Sequence, residues 1–537
     1  MPLGPGHRSS PQLHPDDGCD PADPIDVDVL VVGAGPTGLT AACEAARYGL
    51  TVRVIDRNAH RSSFSKALVA HARTLEVFET MGVIDPILAE GARFAALNVH
   101  TGRRRHRVRI DLLGLPWGDT AYPYWLSIPQ YATERVLESH LNTLGPRVEW
   151  RTTLDEVHDR GEHVEAKLQR PDGGVEVVRA RWLVGCDGGR SRVRAQVGLR
   201  LDRSDAGATF VLADVKTTAR IPEDEGRVFL DPEGLLLVVP MPEPRRWRVI
   251  AHVPTPPPDA AITIDAGFLD DLIRRRSGIE FGSHEVAWGS QFNLSHGLVD
   301  HYRRGRVFLA GDAAHVHSPV GGQGLNTGVQ DVHNLVWKLA IARHTGEAAV
   351  EGLLDSYEAE RRPVARTMVR GTATVTRLLT ARNNSARRVL GVLAPRVLGR
   401  SAVQARLGRG VGMLEIAYPD SPLVALAAGA LGAGRRMPNP RLRYGGRLHQ
   451  RLNPLAHTWV VCGRPGEAPP DPADPRLAGL PLVFLPDGAL AESPRDLARV
   501  VLVRPDRYIA AAGDTAEAVW SQARKRLHPY PFLRPKV

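Results

Sequence analysis

Residues 27–56 read VDVLVVGAGPTGLTAACEAARYGLTVRVID. A nearly unbroken valine and leucine run over 27–32 meets the glycine-rich turn GAGPTG at 33–38. A helical stretch follows over 39–48, Gly49 ends it, and a second apolar strand over 51–56 closes on an acid. Strand, tight turn, helix and strand in that order make a βαβ unit of a nucleotide-binding fold. Gly33 permits the turn, Gly35 lets backbone approach a phosphate, and Gly38 lets helix and strand pack closely. Pro36 and Thr37, within the same turn ahead of the helix, are candidate cofactor contacts with these glycines. Asp56, 18 residues beyond Gly38, stands where a carboxylate accepts hydrogen bonds from ribose hydroxyls, with Arg57 beside it. An acid there disfavours the 2′-phosphate of NADP, which leaves NAD or FAD.

The stretch RVFLAGDAAHVHSPVGGQGLN at 306–326 decides between them. A short strand runs into Gly311 and Asp312, a proline and glycine loop follows, and a helix opens with apolar residues at Leu325, Val329, Val332, Leu335, Val336 and Leu339. An acid at a strand end can hold a polyol hydroxyl. Backbone N–H groups around Gly324, Leu325 and Asn326 favour negative charge, such as that on the pyrimidine edge of a reduced flavin. His315 and His317 lack a third ligand, so no metal site is expected. Ser191, Cys186 and Cys43 have no evident base partner and read as turn or core residues.

Three motifs in sequence order, GAGPTG at 33–38, CDGGRSRVR at 186–194, and GDAAH at 311–315 with PVGGQGLN at 319–326, carry a specific resemblance. The chain resembles the single-component FAD-dependent aromatic hydroxylases of the para-hydroxybenzoate hydroxylase fold, in the phenol, pentachlorophenol and polyketide or rifampicin hydroxylase branch. The resemblance implies that Gly311 and Asp312 meet the ribityl chain and that Pro319 lies beside the isoalloxazine ring. Pro319 is the one residue placed at the reaction, with no general base assigned. Gly322, Gly324 and the amides of Leu325 and Asn326 are implied at the flavin N1 and O2 edge. Arg73 in HARTLE and Gln130 in IPQYATER are implied as further flavin contacts, and Asp187 with Gly188 as part of a motif linked to both FAD and NAD(P)H. Asp187 before Gly188 also reads as a plain turn cap between strand and helix.

The implied chemistry is hydroxylation of a phenolic or polycyclic aromatic substrate through a flavin C4a-hydroperoxide, with NADPH or NADH as reductant and O2 as oxidant. Baeyer–Villiger insertion or epoxidation on a polyketide or antibiotic is the alternative, and a flavin-binding protein without turnover is the second. The expected fold class is α/β, a Rossmann-like FAD-binding domain with an interleaved β-rich substrate domain, a helical region and a C-terminal thioredoxin-like domain. The pocket is expected between the first two, lined by residues 211–237 and 113–123. Tyr302 and His252 are no better as bases than as surface or core residues.

At 537 residues the chain is too long for one compact core. Hydrophobic residues at 43% and charged residues at 24% exclude a disordered or fibrous protein. The net charge of +10 comes mostly from scattered arginines. The clusters at 103–105 and 274–276 lack interleaved aromatics and read as solvated surface, so no nucleic-acid partner is expected. Four cysteines without a CxxC pair argue against disulfides and zinc and fit the cytoplasm. Residues 1–24 read as a disordered leader, and the low-charge run 422–434 is too short for a membrane span. The expected organisation is 25–200, with inserted β elements, and 301–435 as the two parts of the FAD-binding domain, the latter with the helical region, 201–300 as the β-rich substrate domain, and 436–537 as a thioredoxin-like domain lacking CxxC. A homodimer is compatible with this reading.

Overall fold

The computed structural model describes residues 25–527 apart from 65–66, 102–105, 232, 256–261, 318–320, 346, 381–399, 426–431, 478 and 492–497. The expected leader, Pro319 and the arginine cluster at 103–105 thus lie outside the described residues.

Val29, Leu30 and Val31 are sealed from solvent, as an apolar run between two layers requires. Their strand, Val27–Val32, pairs in parallel with Val52–Asp56 on one side and Val175–Gly185 on the other. Val307–Leu309 and Val148–Trp150 extend the parallel array outward. The crossover helix spans Pro36–Arg47, starting earlier than the periodicity suggests. Proline's fixed φ and missing N–H suit the first helical position. Leu309 is level with Gly185, Gly185 with Val32, and Val32 with Ile55. Four neighbouring strands therefore end flush at one carboxyl edge, the edge at which open α/β sheets bind ligands. As expected, the turn at 171–174 joins antiparallel partners, Val164–Gln169 and Val175–Gly185.

A second eight-stranded sheet is built around Leu201–Thr217, which pairs antiparallel with Arg246–Val253 and Ser283–Val299. Ala96–Thr101 and His106–Asp111, from the segment assigned to the first domain, complete its far side. This unit is wider than residues 201–300. Its strands alternate: Val211, Ala213, Leu236, Val238, Val249 and Ala251 bury against Leu269, Leu272 and Ile273 of the helix Ala266–Ser277. Phe210, Leu212, Leu235, Ile250 and Leu294 make a second apolar face on the other side.

That helix ends at Gly278 in the left-handed region, which puts the arginines at 274–276 in its last turn. Arg274 and Arg275 pair with Asp271 at the surface. Arg276 departs from the solvated reading: it is buried and donates to the Leu235 carbonyl at 3.0 Å.

The helix Gln323–Ala342 is buried along nearly its whole length and packs against Pro36–Arg47 and Glu347–Thr380. At the C-terminus, Thr458–Cys462 pairs in parallel with Leu482–Leu485 and antiparallel with Val500–Val503, which pairs with Ile509–Gly513. The helix Ala516–Leu527 closes this sheet. Among the described residues, no helix is long and apolar enough to cross a membrane.

Candidate functional site

The glycine turn is fixed by contacts that no side chain could share. Gly33 has φ +103°, and a Cβ there would lie 2.5 Å from the Cys186 carbonyl oxygen. At Gly38 a Cβ would lie 1.8 Å from the Gly33 carbonyl oxygen. Gly35 differs: nothing lies within 4 Å of its Cβ position, and it caps the helix without a side-chain acceptor. The first-turn N–H groups thus border a cradle of bare backbone that suits a pyrophosphate. Asp56 accepts from Ala34 N and Asn58 N, both at 2.8 Å, which ties the turn to the end of the second strand. Arg57 is exposed next to it.

Asp187 caps the helix Arg192–Gln196, its Oδ2 accepting from Arg192 N at 2.6 Å and Val193 N at 3.1 Å. The turn-cap reading therefore holds. Its Oδ1 is buried without a hydrogen-bond partner in the structure, an acceptor at the same sheet edge that a ligand hydroxyl would satisfy.

After Val307–Leu309 a single helical turn, Gly311–Ala313, buries its two ends and leaves Asp312 exposed between them. Gly311 (φ +59°) and Gly328 pack on Thr37: Cβ atoms there would lie 2.6 and 2.3 Å from its Oγ1. Thr37 thus joins both long helices to the Gly311 turn. Gly322, in the left-handed region, precedes the helix Gln323–Ala342, which has no side-chain cap. A Cβ on Gly324 would lie 3.2 Å from His317 Nε2 and 4.0 Å from Asp312 Oδ1, so Asp312 flanks this second open N-terminus. Leu325 is half-buried there. The Asn326 side chain pins the loop: Nδ2 donates to Val69 O and Gly322 O at 2.8 and 2.7 Å, and Oδ1 accepts from His71 N at 2.8 Å.

The row of strand ends thus gathers Gly33 to Gly38, Asp56, Asp187, and Gly311 with Asp312, beside Gly322 to Asn326. The open backbone at Gly35, the orphaned Asp187 Oδ1 and the two uncapped helix N-termini fit FAD.

Two further expected contacts make hydrogen bonds within the protein. Arg73 is turned toward the C-terminal region, its guanidinium donating to Asp506 O at 2.6 Å, pairing with Glu76 at 3.1 Å and lying over the Tyr508 ring. Gln130 opens the helix Gln130–Thr143 and donates to Glu134 Oε1 at 2.8 Å. Burial pushes the Glu134 carboxyl up to about 7. Tyr302 is fully buried against Tyr357, and desolvation raises its hydroxyl well above the usual range, which removes it as a base.

His71 was missed by the sequence reading although it lies two residues before Arg73. It is buried, its Nε2 lies 2.9 Å from the Gly321 carbonyl, and desolvation lowers its pKa to about 4, so it is neutral. His315 is fully buried with Nε2 2.7 Å from Asp331, which in turn pairs with Arg361. Burial alone would raise the Asp331 carboxyl, but Arg361 and His315 hold it below the usual range. Among the described residues no group of His, Cys, Asp and Glu is arranged to hold a metal ion.

The second apolar face of the large sheet carries aromatic rings. Phe64 stacks on Trp288 at 5.8 Å, and Phe210 meets Phe292 at 6.2 Å and the His252 ring edge-on at 5.5 Å. Leu115 and Trp117 are core, packed with Leu68, Ala72, Met241 and Leu414.

The FAD binding domain family matches residues 26–372. The 6-methylpretetramide 4-monooxygenase of Streptomyces rimosus is 35% identical over 94% of this chain and 94% of that protein. The rifampicin monooxygenase of Rhodococcus hoagii is 37% identical over 66% of this chain and 71% of its own. The solved structure of an anhydrotetracycline hydroxylase from Streptomyces rimosus superposes with a TM-score of 0.76 at 29% identity, covering 94% of this chain and 100% of that one.

Proposed function

Since the chain belongs to the FAD-binding family and is a flavin-dependent monooxygenase, we propose that it hydroxylates a phenolic or polycyclic aromatic substrate, drawing electrons from NADPH or NADH. The observation that carries the reading is the flush row of four strand ends, with the open glycine turn at one of them. Its relatives' names supply the substrate class: 6-methylpretetramide, rifampicin and anhydrotetracycline are the compounds in them.

Bound FAD supplies the activation of O2 for transfer of one oxygen atom to an electron-rich ring. In this reading the protein's part is placement and electrostatics. The N–H groups after Gly35 hold the pyrophosphate, and those opening at Gln323 favour negative charge on the flavin pyrimidine edge. Asp312 holds the ribityl hydroxyls, and Gly322 with Gly324 lets backbone approach the ring. Phe210, Leu212, Leu235 and Phe292 offer the substrate a dry wall, which keeps water from the reacting oxygen. His252, on that wall against Phe210, orients a substrate hydroxyl. The C-terminal sheet is read as a thioredoxin-like module that acts by packing, since Cys462 has no partner cysteine near it in sequence.

The test is NADPH and NADH oxidation in air by FAD-loaded protein across simple phenols and polycyclic phenols, with product and peroxide measured together. Product matching the reductant consumed supports the reading. Uniform release of peroxide, with no compound accelerating oxidation, counts against it.

A further inference from the structure

We propose that His315, Asp331 and Arg361 form a positioning triad that sets the Gly311–Ala313 turn, and with it Asp312, for FAD. The proposal rests on the FAD-site reading above. Asp331 Oδ2 accepts from Gly311 N at 3.2 Å and from His315 Nε2 at 2.7 Å, so one carboxylate oxygen holds both ends of the turn. Oδ1 accepts from Arg361 Nε at 2.8 Å. Arg361 is held in its turn by the Tyr418 hydroxyl at 2.8 Å and the Thr327 carbonyl at 3.3 Å. All three members are fully buried.

Gly311 has no side chain to pack and sits at φ +59°; its carbonyl accepts from Ala314 N at 2.9 Å within the turn, and its N–H is what the Asp331 side chain holds. Clamping that N–H and the His315 ring leaves Asp312 as the exposed residue of a turn with fixed ends. A buried carboxylate needs paired charge and several donors, and here it has three hydrogen bonds, one of them from a guanidinium. None of the triad is placed against the flavin itself. Its members act through the backbone that carries Asp312.

The experiment uses the two amides that imitate the two ring nitrogens. In H315Q the amide nitrogen takes the place of Nε2 and can still donate to Asp331; in H315N it takes the place of Nδ1 and cannot reach. FAD is titrated into apoprotein by fluorescence, with the visible spectrum of the bound flavin and the far-UV dichroism recorded. H315Q is expected to bind within about threefold of wild type, and H315N to bind about tenfold or more weakly with a less resolved flavin spectrum. Equal affinity in two folded variants overturns the triad.

Asp312→Ala separates this from the underlying reading. If it loses FAD while the two 315 variants match, only the triad fails; if it too binds like wild type, the site reading fails. Should neither 315 variant fold, Arg361→Lys decides by hydrogen exchange over 311–317. Faster exchange with weaker FAD binding supports the triad, and no change in either overturns it.

Discussion

In the proposed FAD site Asp312 and Gly38 would act in opposite ways, one by what it presents and the other by what it lacks. Replacing Asp312 by alanine is expected to weaken FAD about tenfold to a hundredfold, the worth of charge-assisted hydrogen bonds, with little change in the apoprotein's thermal transition because the side chain is exposed. Equilibrium titration together with calorimetry checks both halves. Gly38→Ala should do the reverse: a Cβ 1.8 Å from a backbone oxygen forces helix and strand apart, so about 1–3 kcal/mol of stability is lost along with the cradle, measurable by urea unfolding. The glycine turn and the strand leading to Asp312 were legible in the sequence because turn glycines and strand ends act locally. His71 was not, since its partner Gly321 is 250 residues away. The surroundings of Arg73 were hidden for the same reason: a motif names a residue, whereas the direction of its guanidinium depends on Asp506, 433 positions on.

At the scale of elements, the periodicity of 325–339 and the valine runs gave the helix and the central strands to within a few residues, because burial of one face imposes the period. The charged network across the helices Gln323–Ala342 and Glu347–Thr380 was invisible, since a charged residue on an amphipathic helix reads as solvent-facing. Glu360 is fully buried and accepts from Lys338 at 2.8 Å, Asn334 at 2.6 Å and Arg504 at 2.6 Å. Burial alone would raise its carboxyl, but Arg504 and Lys338 hold it below the usual range. Arg504→Ala leaves that centre short of a cation and is expected to cost about 3–5 kcal/mol. Adding Glu360→Gln should recover part of the loss, and a double-mutant cycle by denaturant unfolding reads the coupling. Simple additivity of the two would show that these groups do not act together.

The whole molecule is bound together through its C-terminal segment. Arg504 to Tyr508 reaches Glu360 and Arg73, and Arg436 pairs with Glu76 at 2.6 Å and Asp119 at 3.3 Å, so the C-terminal sheet shares a buried electrostatic core with the nucleotide fold. That core sets the pH response. Desolvation lowers His71 to about 4 and His449 and His457 to about 3, so all three are neutral in the fold. The unfolded chain then binds more protons below about pH 6.5, and stability falls as pH drops from there toward 4. Urea midpoints between pH 7 and 5 should decline, with His449→Gln showing a shallower decline than wild type. Glu134 runs the other way: its carboxyl titrates near 7 in the fold, so its contribution is complete below about pH 4.3 and lost as pH rises through 7. Glu134→Gln should therefore gain on wild type at pH 8.

The central claim is that one atom of O2 enters an aromatic ring, and isotope labelling addresses it directly. FAD-loaded protein with NAD(P)H and a turned-over polycyclic phenol, run under 18O2 in unlabelled water, should give product carrying a single 18O on the ring. Product with oxygen drawn from water, or oxidised product carrying no new oxygen, would contradict the account.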